Sequence, residues 1–359
     1  MDPVAQQAIV WIVQVLVIVF ALLTGFAYTT LLERKVVARY QARVGPNRAG
    51  YIPLPGGGHI LGGWLQPLAD GIKLIFKEEL IPAGADRVIF ILAPIITVLP
   101  ALVLFAVMPF GPTNAGLFGV PISLTLAPNL NVGVLYILAV TSISVYGVTL
   151  AGWSSNNKYA LLGGIRASAQ MVSYELALGL SVVSVVLLAG TLDTNAIVDQ
   201  QKNIWFVFLQ PLAAIIFMMA TFAETNRAPF DLLEADQELV AGFNTEYSGM
   251  KFALFYMAEY IKLIAVSGLL VTFFFGGYRE PFPSFVTQAL PWLSVDAIPW
   301  LGPFYFLGKI IVVLVVAVWV RATLPRFRYD KLMAFGWKLM LPLALGNVVV
   351  TALAILLRG

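Results

Sequence analysis

The sequence predicts an all-α polytopic membrane protein, with about eight transmembrane helices and one amphipathic helix on the cytoplasmic side. Three observations carry that prediction. The first is composition: 60% of the 359 residues are hydrophobic and only 11% are charged. A soluble domain is about 45–50% apolar and about a quarter charged, so the surplus has to face lipid or other membrane helices. The second is length. A helix needs about 20 mostly apolar residues to cross a bilayer, and the stretches 8–32, 88–110, 132–153, 166–189, 204–223, 250–275, 304–320 and 335–357 meet that need. The third is the distribution of Lys and Arg, which falls heavily on alternate loops.

The first stretch is too long for the apolar core of a secretory signal, and no basic segment precedes it, so it reads as a retained span. The loop that follows carries Arg34, Lys35, Arg39, Arg43, Arg48, Lys73, Lys77 and Arg87. Within it, Leu65, Leu68, Ile72, Ile75 and Phe76 recur at helical spacing over 64–79, with Asp70, Lys73 and Lys77 on another side. That segment is too short and too charged to span, and it predicts an amphipathic helix lying on the membrane surface. The third loop has Lys158 and Arg166, the fifth Arg227 and Lys251, and the last Arg321, Arg326, Arg328, Lys331 and Lys338. The other side has Lys202, Arg279 and Arg358. By the positive-inside rule the odd-numbered loops face the cytoplasm and both termini face out, as in a multi-pass protein of a bacterial inner membrane. The whole chain, 1–359, forms one membrane domain.

Several chemistries are excluded by residue type. There is no cysteine, and His59 is the only histidine. Iron–sulfur clusters need thiolates and a bis-histidine haem needs two imidazoles, and a Cys/His zinc site fails for the same reason. Any electron chemistry the chain serves belongs to a partner or a diffusible carrier. No basic run with interleaved aromatics points to nucleic acid.

Ionisable residues inside spans cost about 2.5–3.5 kcal/mol each on the insertion scale, so each needs a partner or a water-filled path. Glu175 falls near the middle of the fourth span, on a face shared with Ser168, Val172 and Gly179. Glu259 and Lys262 lie three apart in the sixth span, close enough to pair. Lys309, about a turn into the seventh, is placed to snorkel to the interface. The inner loop 224–250 sets Glu224, Asp231, Glu234, Asp236, Glu238 and Glu246 against Arg227 alone. Clustered carboxylates raise one another's pKa by repulsion and desolvation, and such groups can pass protons at working pH. The intramembrane groups by themselves suggest proton or ion movement and fit a structural ion pair or a docking face as well.

The inner loops add four long strings: LLERK at 31–35 with QARVGPNRAG at 41–50 and LQPLADGIKLIFKE at 65–78; SNNKYALLGGIRASAQMVSYE at 155–175; AETNRAPFDLLEADQELVAGFNTEY at 223–247, followed by MAEY at 257–260; and RATLPRFRYDKLM at 321–333. Together they resemble the H-subunit family of proton-pumping NADH:quinone oxidoreductase, respiratory complex I (subunit 1 of the mitochondrial enzyme), from about Leu31 to the C-terminus. The resemblance implies a membrane-arm component that anchors the peripheral arm and forms most of the quinone tunnel. It implies quinone as substrate and no cofactor held by this chain, with FMN and iron–sulfur clusters in partner subunits. The implied partners are the peripheral-arm subunits of the quinone site, small membrane subunits, antiporter-like subunits and lipid. Glu33, Arg34, Gln41, Arg43, Asp70, Phe230 and Asp231 match the tunnel and junction positions. Glu175, Glu224, Glu234, Asp236, Glu238 and Glu259 match the acidic chain that links the quinone cavity to the antiporter-like subunits. Two departures stand out: the stretch between Gly50 and Leu65, which includes His59, is longer than the family's short link, and Asp236 stands where relatives often have Glu. The nearest rival is the homologous subunit of a membrane-bound hydrogenase or ferredoxin-linked complex, and a more distant one is a stand-alone proton or ion transporter.

Overall fold

The computed structural model describes residues 3–50, 52–53, 59–60, 62–113, 115–117, 120–128, 130–231, 242–281 and 291–358. Among them are seven helices long and apolar enough to cross a membrane, and one shorter apolar helix. Two small antiparallel hairpins, Ile52–Pro53 with His59–Ile60 and Ala115–Leu117 with Val120–Ile122, are the only strands described.

Helix α1, Pro3–Tyr40, has 38 residues. At 1.5 Å per residue it is about 57 Å long, far more than the ~30 Å hydrocarbon core of a bilayer. It is therefore longer than a bilayer core requires, and Glu33 and Arg34 lie in its last turns. Helix α2, Gln66–Phe76, follows the first loop, and none of its residues is buried within the chain. Leu68, Ile72, Ile75 and Phe76 are all exposed on it, so its apolar side faces something other than this chain.

Helix α3, Arg87–Val103, starts where the Asp86 carboxylate accepts from the amides of Val88 and Ile89. Such a cap satisfies amides that have no partner in the first turn. Helix α4, Gly133–Ser154, returns, and α5, Lys158–Ala189, follows after an Asn157 cap and ends at Gly190 with φ 64°. Between lipid-like surfaces the hydrophobic effect does not drive association, and small residues that let backbones approach do. At Gly152 on α4 an added Cβ would lie 2.6 Å from the Ala160 carbonyl oxygen and 3.0 Å from the Gly164 Cα on α5. Hydroxyls across these helices bond back to carbonyls one turn earlier, as Ser168 to Gly164 and Ser173 to Ala169 do, so they leave no open donor.

The stretch 204–223, expected as one span, is two helices: α7, Phe206–Leu209, and α8, Pro211–Glu224. Helix α6, Thr194–Gln200, precedes them. Pro211 has no amide to donate, so the helical ladder restarts at that point. Gln210 at the break takes a tertiary partner, donating to Thr351 Oγ1 at 2.8 Å.

Helix α9, Gly249–Phe274, runs through the middle of the bundle and packs on α1, α3, α8 and helix α10, Gly302–Thr323. From Tyr260 to Phe274 nearly every residue is buried. Helix α11, Tyr329–Phe335, passes through a π-turn at Gly336–Met340 into α12, Leu341–Arg358. There the Tyr174 hydroxyl donates to the Leu332 carbonyl at 2.8 Å and Trp337 Nε1 donates to Ser173 Oγ at 3.1 Å. Both bonds tie α5 to the last span next to Glu175. The surface of α1, α10 and α12 is lined with exposed Phe, Trp, Leu and Val, among them Phe20, Phe304, Trp319 and Leu356.

Gly152 and Gly179 separate steric need from helix propensity. Gly152→Val places a branched side chain against backbone, and overpacking of this kind costs about 1–3 kcal/mol or more. Immunoblots of membranes should show the variant chain depleted. Gly179→Ala meets open space, so its level should match the parent.

Candidate functional site

The basic ends of the helices come together at one end of the bundle, and the ionisable residues form two buried groups there. In the first, the Glu33 carboxylate at the end of α1 meets Arg227 Nη1 at 2.6 Å and also pairs with Arg321 of α10. Arg227 reaches further, with Nε 3.0 Å from Glu259 Oε1 on α9. Its guanidinium lies 4.4 Å from the centre of the Tyr260 ring, a cation–π contact. The Tyr260 and Tyr256 hydroxyls are 3.2 Å apart beneath it. Glu33 is 6% exposed and Arg227 4%, so neither charge is shared with bulk water. Burial by itself would loosen the Arg227 proton; Glu259 and Glu33 outweigh it and raise the pKa above that of a free guanidinium.

Local folding places Arg227. Helix α8 ends at Glu224, and Asn226 adopts φ 53°. The Arg227 amide returns to the Phe222 carbonyl at 3.1 Å and its own carbonyl accepts from Phe230 at 2.8 Å. The turn therefore aims the guanidinium inward, between α1, α9 and α10.

In the second group, Glu224 on α8 pairs with Lys262 of α9 at 3.0 Å, and Lys262 donates to Ser144 Oγ on α4 at 3.0 Å. Glu175 on α5 accepts from Ser142 of α4. The expected Glu259–Lys262 pairing along one helix gives way to two cross-helix pairs. Residues three apart diverge by about 60° around an α-helix with 3.6 residues per turn, and here each meets a different neighbour. A cavity of about 50 Å³, enough for a few waters, lies between the two groups; Glu224, Asn226, Asn244, Tyr256, Glu259 and Lys262 line it. The side-chain oxygens of Asn226 and Asn244 are buried with no hydrogen-bond donor among the described residues.

The remaining site residues lie elsewhere. Arg34 pairs with Asp70 at 2.7 Å in an exposed bridge between α1 and α2, and Gln66 also donates to Asp70 at 2.9 Å. Arg43 Nε donates to Gln41 Oε1 at 2.6 Å on the following turn. Phe230 is buried, its ring centre 5.5 Å from Tyr174, 5.7 Å from Phe327 and 6.3 Å from Phe335. Its carbonyl accepts from Gln170 at 2.9 Å. Asp231 is buried and 3.2 Å from Arg326. Glu33, grouped with Arg34 on sequence position, stands geometrically with Arg227 and Glu259 instead. Glu234, Asp236 and Glu238 lie outside the described residues. Among the described residues no group of three or more His, Cys, Asp or Glu comes together as a metal site.

A family model described as NADH dehydrogenase matches residues 13–352. The chain belongs to that family. The relatives it resembles match over almost their full lengths. The NADH-quinone oxidoreductase H subunit 2 of Geobacter metallireducens is 48% identical, covering 97% of this chain and 96% of that protein. The NADH-quinone oxidoreductase H subunit of Deinococcus deserti is 49% identical, covering 96% and 83%. NADH-quinone oxidoreductase subunit 8 of Rhodothermus marinus is 48% identical, covering 95% of each. As a member of this family with seven apolar helices of spanning length, the chain is a membrane protein and a component of an oxidoreductase complex.

The sequence marks Arg227 only as the lone base of an acidic loop. That isolation is the one local signal of its central place. Arg321, Tyr260 and Ser142 give no such signal, because basic loops, aromatic spans and membrane-helix serines are common.

Arg227→Met leaves the buried Glu33 carboxylate to Arg321 alone and removes the cation that faces the partly exposed Glu259. Breaking a buried pair costs about 3–5 kcal/mol, so native gels of membranes should show the assembled complex strongly reduced. Arg34→Ala breaks an exposed pair worth about 0–1 kcal/mol, and assembly should stay near the parental level.

Proposed function

We propose that this chain is the membrane subunit of a complex I-type NADH:quinone oxidoreductase that forms the quinone path and begins proton translocation. The observation that carries the reading is the run of buried and half-buried ionisable groups from Glu33 through Arg227 and Glu259, then Lys262 and Glu224, toward Glu175. It crosses α1, α9, α8 and α5, from the basic end into the bundle. The relatives' printed names bring quinone and NADH to the reading, and they favour it over a hydrogenase-type complex or a stand-alone transporter.

In this reading the basic end faces the cytoplasm of a bacterial cell and docks the peripheral arm, with both termini on the other side of the inner membrane. Quinone enters from the bilayer between α1 and the exposed apolar face of α2. The electrons come from an iron–sulfur cluster of a partner subunit, since this chain has no thiolates. Two electrons reduce quinone and two protons complete the quinol. Glu33, Arg34, Gln41, Arg43 and Asp70, with Phe230 and Asp231, form the tunnel and the junction.

Coupling rests on charge balance. Arg227 faces Glu33 on one side and Glu259 on the other. A negative charge developing on quinone near α1 draws the guanidinium away from Glu259. That carboxylate, left with less positive charge beside it, takes a proton from water in the adjoining cavity. Lys262 and Glu224 pass the change inward by the same exchange of partners. Glu175, whose partner is a hydroxyl and not a cation, is the proton-holding group at the far end, toward the antiporter-like subunits. Glu234, Asp236 and Glu238 extend the acidic path at the loop.

The test is turnover in assembled complexes carrying Glu224→Gln or Glu175→Gln. Each amide keeps the size of its parent and loses the exchangeable charge. The rate of proton translocation driven by quinone reduction should fall by about a hundredfold, the lower end of the effect of removing a positioned acid–base group. Normal quinone reduction with a normal proton ratio in both variants would sink the relay.

A further inference from the structure

The end of α9 away from the basic loops holds a second, half-buried cation that the proposed path does not use. Lys309 sits two turns inside α10, and it does not snorkel. Its ammonium donates to the carbonyls of Phe275 at 2.7 Å, Gly277 at 3.0 Å and Arg279 at 2.7 Å. An ammonium has three donors, so all three are committed to backbone oxygens. The Trp205 ring centre lies 5.1 Å from the nitrogen.

The sequence builds this cradle locally. Gly276 and Gly277 take φ of 72° and 51°, a conformation that brings successive carbonyls to one side. A Cβ at Gly277 would lie 2.5 Å from Val198, so the turn is also packed closely on α6. Three more contacts hold it. Gln201 donates to the Thr272 carbonyl at 2.9 Å and accepts from the Gly276 amide at 2.9 Å. Arg279 meets Asp199 at 2.6 Å. Glu280 is completely buried and accepts from the Val295 amide at 3.2 Å, and its other oxygen has no hydrogen-bond partner among the described residues. A helix C-terminus carries partial negative charge and carbonyls that lack helical donors. Converging carbonyls next to a buried carboxylate make a site for a small cation that can donate hydrogen bonds, and here the cation is tethered.

The opposite end of α9 packs into a buried aromatic cluster of Phe90, Tyr247 and Phe255, and its polar contacts are with the first loop. Lys251 pairs there with Glu79, which is 42% exposed, and Ser248 accepts from the Leu80 amide at 3.1 Å. Glu259 and Lys262 lie 15 and 12 residues before Phe274, about 22 and 18 Å along the axis. Their contacts at 3.0 Å weaken steeply if the helix slides by a fraction of an ångström.

We propose that Lys309 is a plug filling a carbonyl cation site at the end of α9, and that it is a positioning residue setting the axial register of the helix that bears Glu259 and Lys262. Because the site recognises N–H donors and positive charge, it accepts a free alkylammonium of methylammonium size when the lysine side chain is shortened. The link to coupling rests on the proposed relay; the plug itself does not.

The chain has no cysteine, so Met250→Cys near the start of α9 gives it a single thiol to follow. In the assembled complex in native membranes, adding Lys309→Ala should change the rate of labelling by a membrane-impermeant maleimide at least about threefold, through a shift in local exposure. Methylammonium should restore the parental rate. Tetramethylammonium, which has the charge and no N–H, should not. An unchanged rate in Lys309→Ala, or equal restoration by both cations, overturns the plug. If Lys309→Ala does not assemble, growth in methylammonium should recover the complex, and failure to recover it also overturns the plug. Labelling is read without proton movement. Altered labelling with a normal proton ratio therefore supports the plug and counts against the relay alone.

Discussion

The buried Arg227 guanidinium is the interaction on which the site depends. It brings a positive charge to the buried Glu33 and the half-buried Glu259, and so joins α1, the turn after α8, α9 and, through Glu33, α10. A buried ion pair is a weak source of net stability, because desolvation offsets most of the attraction. It asks for a fixed arrangement instead: the buried Glu33 carboxylate is matched only where the helices bring Arg227 and Arg321 against it. The same arrangement suits a switch, since a cation between two anions responds to small changes on either side.

Around that point the bundle uses the packing rules of a membrane interior. Close approach at Gly152 and the hydroxyl contacts of Ser142 and Ser144 bring α4, α5 and α9 near enough for Glu224, Lys262 and Glu175 to share one region. The apolar faces of α1, α10 and α12 stay outside. Helix α9 is central in both senses: it is the most enclosed span, and it carries a member of each ion-pair group. Past its far end the Lys309 ammonium takes three backbone carbonyls, so the helix runs from the ion-pair region to a second bound cation.

The sequence showed much of this, for identifiable reasons. Span-length apolar stretches and alternating basic loops follow from the solvent properties of a bilayer and can be read locally. Glu175, Glu224 and Glu259 were legible as candidates because a charge in such a setting needs a reason. The broken helix at Gln210–Pro211 was less so, as hydropathy is blind to a missing amide. The partner choices were illegible. Glu259 and Lys262 are near in sequence and invite pairing, yet they face different neighbours.

By itself, then, the sequence determined the membrane class, the lack of any thiolate or bis-histidine redox site in the chain, the family resemblance and the identity of most ionisable groups. Those properties belong to composition, to single segments or to strings of adjacent residues. Only the tertiary structure decided that Arg227 stands between Glu33 and Glu259, that Lys262 turns to Glu224, that Glu175 meets Ser142 and that Lys309 closes the end of α9. Each joins residues up to 194 positions apart, and each depends on the angle at which helices cross. That angle is fixed by the mutual packing of all the spans and is written in none of them alone.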